Sequence, residues 1–146
     1  MAGVSGLANI GVRVDGADER LSGNAHALIH ELATRLAKLD AEGIEDAIDL
    51  RGIPLSKADL QMLEDFLGTG EIEARIDALG PTRVYETSYS GIWRATYYNE
   101  DGKVVADVLE VTRRPEILAT PRGDVADASR ALHEALGSLP APSPGA

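Results

Sequence analysis

The chain contains no cysteine, and that absence removes several kinds of chemistry from consideration. Without thiols it forms no disulfide, builds no zinc finger, holds no iron–sulfur cluster by itself and performs no thiol catalysis. It also lacks any apolar run near the roughly 20 residues of a membrane-spanning helix, so we expect no membrane insertion. The N-terminus has no charged region followed by a long apolar block, and we therefore expect a cytoplasmic protein.

Basic residues are scarce relative to acidic ones. The 146 residues include 14 Lys and Arg against 24 Asp and Glu, which gives a formal net charge of −10. Proteins that bind phosphate backbones carry a basic surface, so we predict no nucleic-acid partner. The hydrophobic content of 44% in a chain of this length suits one domain with its own core.

Aromatic residues are also few, and most of them fall in one short stretch. Of one Phe, one Trp and four Tyr, only Phe66 lies outside residues 85–98. Aromatic side chains contribute much of the energy of protein cores and of protein interfaces. We therefore treat residues 70–111, which include this stretch, as the part around which the chain is organised.

Three segments have the apolar spacing of amphipathic helices, namely residues 25–39, 60–67 and 125–136. Asn24 and Ser56 are the predicted N-caps of the first two helices. Gly43 is predicted to end the first helix, because a glycine that follows a helix commonly adopts the left-handed conformation that terminates it. The predicted buried stripe of the second helix consists of four residues: Leu60, Leu63, Phe66 and Leu67.

Four further segments have strand-like patterns, namely residues 71–78, 83–89, 92–98 and 103–112. In the first of them four residues are predicted to face a core: Ile72, Ala74, Ile76 and Ala78. Short turns connect the segments, which favours antiparallel pairing. Residues 45–51 fit either a short strand or an extended connector. The sequence therefore predicts an α+β two-layer domain, an antiparallel meander of about four strands with about three helices.

The two ends of the chain differ in composition from its middle. Residues 1–23 are rich in Gly and small side chains, and we expect a flexible or loosely docked segment. Residues 138–146 are rich in Pro, and we expect a disordered tail. Residues 24–137 are then the single folded domain.

Signals for catalysis or for a cofactor are weak throughout the sequence. The glycines of Gly68-Thr69-Gly70 follow a helix and precede a strand, the reverse of a dinucleotide-binding turn. No serine lies in a G-x-S-x-G turn. His26 and His30 have the i, i+4 spacing that can hold a metal, but nothing in the sequence indicates the further ligands. We expect a non-enzymatic protein without a cofactor, and these two histidines are weak metal candidates.

The sheet face away from the helices has two interpretations. Tyr, Trp and Arg are enriched at interaction hot spots, and this face would present such residues as a partner surface. The predicted partner-binding residues are four on the sheet and two in the adjacent turn: Tyr85, Tyr89, Trp93, Arg94, Gly70 and Glu71. Alternatively, the N-terminal segment or the last helix covers this face and makes it a second core.

A set of short motifs is spaced along the middle of the chain. Residues 67–74 have the sequence L-G-T-G-E-I-E-A, and Glu86-Thr87 and Gly91-Ile92-Trp93 follow. With Ile48-Asp49-Leu50-Arg51 and Gly80-Pro81-Thr82, this set resembles the C-terminal region of the HupH/HyaF hydrogenase expression proteins, over about residues 28–118. Ser90 departs from the family pattern, which often has Pro there, and Ile92 stands in place of Val.

The resemblance implies a non-catalytic accessory or assembly protein for the maturation of NiFe hydrogenase. The implied partner is the iron–sulfur small subunit or its precursor, with other maturation proteins as further partners. The resemblance supplies no catalytic residues. Because the chain begins near the shared region, we expect a stand-alone version with an altered task.

Three alternatives remain open at this point. The chain could be a metal- or cofactor-handling protein that uses His26 and His30, or a permanent small accessory subunit of the hydrogenase. It could also form a homodimer through an open sheet edge or the aromatic face.

Overall fold

The computed structural model describes residues 19–77 and 80–145. Its helices and strands, in chain order, are α1 (Asn24–Glu42), β1 (Asp46–Asp49), α2 (Lys57–Leu67), β2 (Glu73–Asp77), β3 (Pro81–Glu86), β4 (Ile92–Tyr98), β5 (Val104–Val111) and α3 (Arg122–Ala135). Short 3-10 turns lie at Leu50–Gly52, Glu116–Leu118 and Leu136–Ser138. The predicted α+β class is confirmed. Most of the predicted flexible N-terminal segment, residues 1–18, lies outside the described residues, and so does Ala78.

The strands form one antiparallel sheet in the order β1-β5-β4-β3-β2. The sequence left residues 45–51 open, and the structure assigns β1 to them as a fifth strand. Ile48 of β1 lies opposite Leu109 of β5. The other four strands are the predicted meander, although Ile72 precedes β2 and is exposed rather than facing a core.

A single hydrophobic core lies between the sheet and helices α1 and α2. Leu28 and Leu32 of α1, Leu63 of α2, and Leu109 and Val111 of β5 are among its fully buried members. At ~25 cal/mol per Å² of apolar surface removed from water, burying each large aliphatic side chain contributes about 1.5–3 kcal/mol. This contact fixes the two helices on one face of the sheet.

Helix α1 ends as predicted but begins differently. Gly43 has the predicted left-handed conformation, with φ 71°. The predicted N-cap Asn24 is instead the first helical residue, and Gly23 precedes the helix without a side-chain cap. The Asn24 side chain donates to the Pro54 carbonyl oxygen at 2.8 Å. Its amide therefore ties the start of α1 to the segment before α2.

The start of α2 is held by a buried carboxylate. Ser56 caps the helix as predicted, and Ser56 and Asp59 form a reciprocal capping box. Asp59 is fully buried and also accepts from the backbone N–H and the hydroxyl of Ser22. The Ser56 hydroxyl donates to the Arg20 carbonyl oxygen. One carboxylate thus joins α2 to the segment before α1.

A second compact unit begins at Pro115 and contains α3. Pro121 precedes this helix, and Asp124 lies in its first turn, where a carboxylate interacts favourably with the helix N-terminus. Every residue of α3 is exposed, including Val125 and Leu132 on its apolar side. Across the described residues, no helix is both long and apolar enough to cross a membrane.

We expect Asp59→Asn to lower the free energy of unfolding by about 2 kcal/mol at pH 7, because an amide NH₂ would meet donors where an ionised oxygen now accepts. Urea denaturation measures the loss. Asp65→Asn, an exposed position on the same helix, is the matched control and should change stability by less than about 0.5 kcal/mol.

The same comparison has a pH dependence. Burial raises the pKa of Asp59, but the hydrogen bonds from Ser22 and Ser56 together outweigh burial and hold the pKa below its ordinary value of 3.8. A carboxyl whose pKa is lowered by folding stabilises above its unfolded pKa and loses that contribution as pH falls. The deficit of Asp59→Asn should therefore shrink below about pH 4. Equal stability of the two proteins at pH 7 would contradict this account.

Candidate partner-binding site

Two motif segments, residues 67–71 and 86–91, lie side by side at one end of the sheet. The Gly70 N–H donates to the Glu86 carbonyl oxygen at 2.7 Å, and the Ser88 N–H donates to the last carbonyl of α2 at 2.8 Å. We call these two segments the motif corner. The corner joins the end of α2, the start of β2 and the turn between β3 and β4, so motifs far apart in the sequence form one surface.

The corner requires glycine at Gly70. A Cβ atom there would lie 2.6 Å from the Thr87 carbonyl oxygen and 3.1 Å from that of Glu86. Both neighbours are backbone atoms in a hydrogen-bonded sheet, so neither can move without breaking the pairing. The glycine is therefore a steric requirement of the close approach between the two segments.

The far side of the corner contacts α1. Gly91 has φ 96°, and a Cβ atom at that position would lie 3.1 Å from Leu36 Cδ1. The Gly91 N–H donates to Glu86 Oε2 at 3.1 Å. A groove of about 670 Å³ lies here, with apolar side chains of α1 on one side and the β3–β4 turn on the other. Asp40, Glu86 and Arg113 are its charged lining residues.

Phe66 and Tyr89 form an exposed aromatic pair at the corner. Their ring centroids lie 5.6 Å apart with an interplanar angle of 11°, and the two residues are 49% and 43% exposed. The prediction that Phe66 belongs to the buried stripe is wrong. Leu63 and Leu67 fill the buried side of α2, and Phe66 turns away from the core toward Tyr89. Sequence reasoning missed this pair because helical spacing alone also fits a buried Phe66.

Tyr89, Gly70 and Glu71 are exposed at the motif corner. The structure brings these three predicted partner-binding residues together. Their role in binding stays a prediction.

Tyr85 and Trp93 lie elsewhere. Tyr85 is 7% exposed and Trp93 is 4% exposed, so the expectation that Tyr85 is exposed is wrong. The strand register places Tyr85 opposite Arg94, on the face that α1 and α2 cover, whereas Trp93 points to the other face. The predicted set therefore does not form one aromatic surface.

Arg94 is also mostly buried, with 14% of its side chain exposed. Its guanidinium makes two contacts with the Asp107 carboxylate, at 2.7 and 3.0 Å, and a third with Glu64 at 3.3 Å. Thr96 donates to the same Asp107 carboxylate at 3.1 Å. The hydrogen bonds to Asp107 hold the pKa of Arg94 above its ordinary value despite burial. Arg94 is thus occupied within the protein, and the expectation that it is exposed is wrong.

The sheet face away from α1 and α2 is covered at its centre. Val84, Trp93 and Ala95 are buried there, and the register places Val84 beside Ala95. The Trp93 indole N–H donates to the Thr112 carbonyl oxygen at 3.1 Å. These three side chains therefore do not form an open aromatic surface, which was the first of the two interpretations that the sequence left open.

The two candidate metal-binding histidines are neighbours on exposed positions of α1. The ring centroids of His26 and His30 lie 4.7 Å apart. Among residues 19–77 and 80–145, no group of three or more His, Cys, Asp or Glu side chains is arranged to hold a metal ion.

Comparison with known proteins identifies the family. The family described as "HupH hydrogenase expression protein, C-terminal conserved region" matches residues 23–139. The chain belongs to this family. The resemblance inferred from the motifs is confirmed, and the matched region contains both segments of the motif corner.

Two curated relatives and one solved structure show the extent of the match. The hydrogenase expression/formation protein HupH of Rhodobacter capsulatus is 32% identical over 116 residues, 80% of this chain and 42% of that protein. HupQ of Azotobacter chroococcum mcd 1 is 31% identical over 99 residues, 68% of this chain and 35% of that protein. The chain therefore spans less than half the length of these relatives. The hydrogenase expression protein HupH from Thiobacillus denitrificans ATCC 25259 has the same fold, with a TM-score of 0.78 and 36% identity over 82% of this chain and 100% of that one.

We expect Arg94→Ala to lower the free energy of unfolding by about 3 kcal/mol, because it leaves the buried Asp107 carboxylate without its cation. Arg94→Lys should recover only part of the loss, since an ammonium cannot make the paired contacts. Tyr89→Ala, at the exposed corner, should cost less than about 1 kcal/mol. Urea denaturation of the three variants measures these differences. If Arg94→Ala proved as stable as Tyr89→Ala, the assignment of Arg94 to the interior of the fold would be wrong.

Proposed function

We propose that this chain is an accessory protein of NiFe hydrogenase maturation, an assembly factor that binds a hydrogenase subunit and does not catalyse a reaction. The observation that carries the proposal is the motif corner. Two of the segments that resemble the hydrogenase expression family, residues 67–71 and 86–91, lie side by side there although they come from different parts of the sequence, and Gly70, Glu71 and Tyr89 are exposed. The names of the relatives, hydrogenase expression/formation proteins, support the same role.

The polar groups of the corner support binding rather than catalysis. The Thr87 hydroxyl donates to the Tyr89 carbonyl oxygen at 3.1 Å, and the Ser88 hydroxyl donates to that of Thr69 at 3.3 Å. The Glu86 carboxylate accepts from the Gly91 N–H. Each of these side chains is thus engaged with the backbone of the corner itself. Such contacts hold the surface in one shape, and a preformed surface loses less conformational entropy when it binds.

The partner that we favour is the iron–sulfur small subunit of the hydrogenase or its precursor, as the family resemblance implies. Within this proposal Tyr89, Gly70 and Glu71 contact the partner, and Phe66 joins them because it stacks on Tyr89. Tyr85, Trp93 and Arg94 do not contact the partner in this proposal. They stabilise the strands that position the corner.

Co-purification tests the proposed role. The tagged chain is isolated from cells that express the hydrogenase operon, and the immature and mature forms of the small subunit in the eluate are compared. We expect selective recovery of the immature form. Recovery with the mature, active enzyme would identify a permanent subunit instead, and recovery of neither form while the hydrogenase is made would overturn the proposal.

A matched pair of charge reversals tests the surface. Glu71→Lys at the corner should reduce the recovered subunit about tenfold, a change equivalent to about 1.4 kcal/mol in binding. Glu100→Lys makes the same change in the exposed loop between β4 and β5, which the strand register places at the opposite end of the sheet. It should leave recovery unchanged. Equal effects of the two variants would show that net charge, and not the corner, governs recovery.

A further inference from the structure

Helix α2 has an apolar stripe on its solvent side in addition to its buried one. Ala58, Met62 and Phe66 recur every four residues, so they lie above one another along the helix. At 1.5 Å per residue the stripe is about 12 Å long. Leu21, which is 62% exposed, lies beside its first turn and lines the same shallow cavity of about 560 Å³.

The stripe is continuous with the motif corner. Phe66 is its last member and stacks on Tyr89 of the β3–β4 turn. A partly exposed apolar surface therefore runs from Leu21 along α2 to Tyr89. Its two ends are exposed, whereas Ala58 and Met62 are half-buried and Met62 also packs against the core. We call this surface, with its members Leu21, Ala58, Met62, Phe66 and Tyr89, the α2 stripe. An amphipathic helix of a small domain normally buries its apolar side, so a second apolar side indicates a surface that a partner covers.

The acidic side chains near the Phe66 end of the stripe are not balanced by basic ones. Asp65 is exposed, and its only partner among the described residues is the neutral amide of Gln61, at 2.9 Å. Glu71 is exposed and has no hydrogen bond or ion pair among the described residues. The end of α2 and the turn after it therefore present two carboxylates that are in contact with no cation of the described residues.

Two basic side chains of the neighbouring strands, Arg83 and Arg94, are already paired, whereas Arg75 of β2 is exposed and makes no ion pair among the described residues. Arg83 makes two contacts with the Glu73 carboxylate, at 3.0 and 3.2 Å. Arg94 is held by Asp107 and Glu64. Lys57 is the one basic residue of α2 itself, and it lies at the other end of the helix, about 12 Å along the axis from Asp65. The Phe66 end is therefore acidic, in a chain whose net charge is −10.

We propose that the α2 stripe docks an apolar segment of the partner that carries Lys or Arg side chains where it passes Asp65 and Glu71. The aliphatic and aromatic side chains supply the area removed from water, and the two carboxylates select a basic partner over an acidic one. A second copy of this chain fits poorly, because it would bring another net charge of −10 to an acidic surface. The proposal rests on the proposed function, since it describes the chemistry of the same partner.

Photo-crosslinking tests this docking surface in cells that express the hydrogenase operon. The variant Phe66→p-benzoylphenylalanine keeps an aromatic ring on the stripe, and Val105→p-benzoylphenylalanine is the matched control. Val105 is 53% exposed and lies at the opposite end of the sheet. We expect an adduct from position 66 and none from position 105, and mass spectrometry should place it in a segment of net positive charge. Adding Asp65→Lys should reduce the adduct about fivefold, while adding Glu100→Lys should not.

The outcomes separate the docking proposal from the proposed function. An adduct with a basic segment of a hydrogenase subunit supports both. An adduct with a basic, apolar segment of an identified protein outside the hydrogenase supports the docking surface and overturns the proposed function. No adduct from position 66, an adduct with an acidic segment, or one confined to this chain or a second copy overturns the docking surface. If the small subunit still co-purifies with the unmodified chain in that case, the proposed function stands.

Discussion

The close approach between Gly70 and the end of β3 is the constraint on which the candidate site depends. The Gly70 N–H bonds to the Glu86 carbonyl oxygen, and the space for a Cβ atom is filled by the Thr87 carbonyl oxygen. Two motif segments from different parts of the chain are thereby fixed side by side. The contact also sets where the edge strand β2 begins, because the Glu86 N–H donates to the carbonyl oxygen of Ile72, the residue directly before β2.

Below this corner the sheet is held by groups that are buried on both of its faces. The paired contacts of Arg94 with Asp107 join β4 to β5 under the helices, and Trp93 packs on the opposite face. These residues keep the strands in register, and truncating either one should disturb the fold. The exposed residues are those of the motif corner, at the end of the sheet beyond these buried groups. The position of the candidate site is therefore set by the buried residues beneath it.

Much of the fold could be predicted from the sequence, and the site only in part. Helical spacing and the N-cap at Ser56 depend on local chemistry, and the structure confirms both for α2. The exposure of Tyr85 could not be predicted, because strand alternation does not say which face the helices cover. The prediction that Phe66 is buried failed for a related reason. The helical spacing of apolar residues is the same whether they form one stripe or two, so it does not show which of them face the core. Glu71 and Gly70 were found through the motif, and both lie in the turn before β2, where they are exposed.

Hydrogen exchange of the chain, alone and in complex with the immature small subunit, tests the central claim most directly. If the motif corner binds the partner, amide exchange should slow at residues 65–72 and 86–91 and stay unchanged in the hairpin at residues 99–104. Slower exchange in that hairpin, with the corner unchanged, would contradict the account.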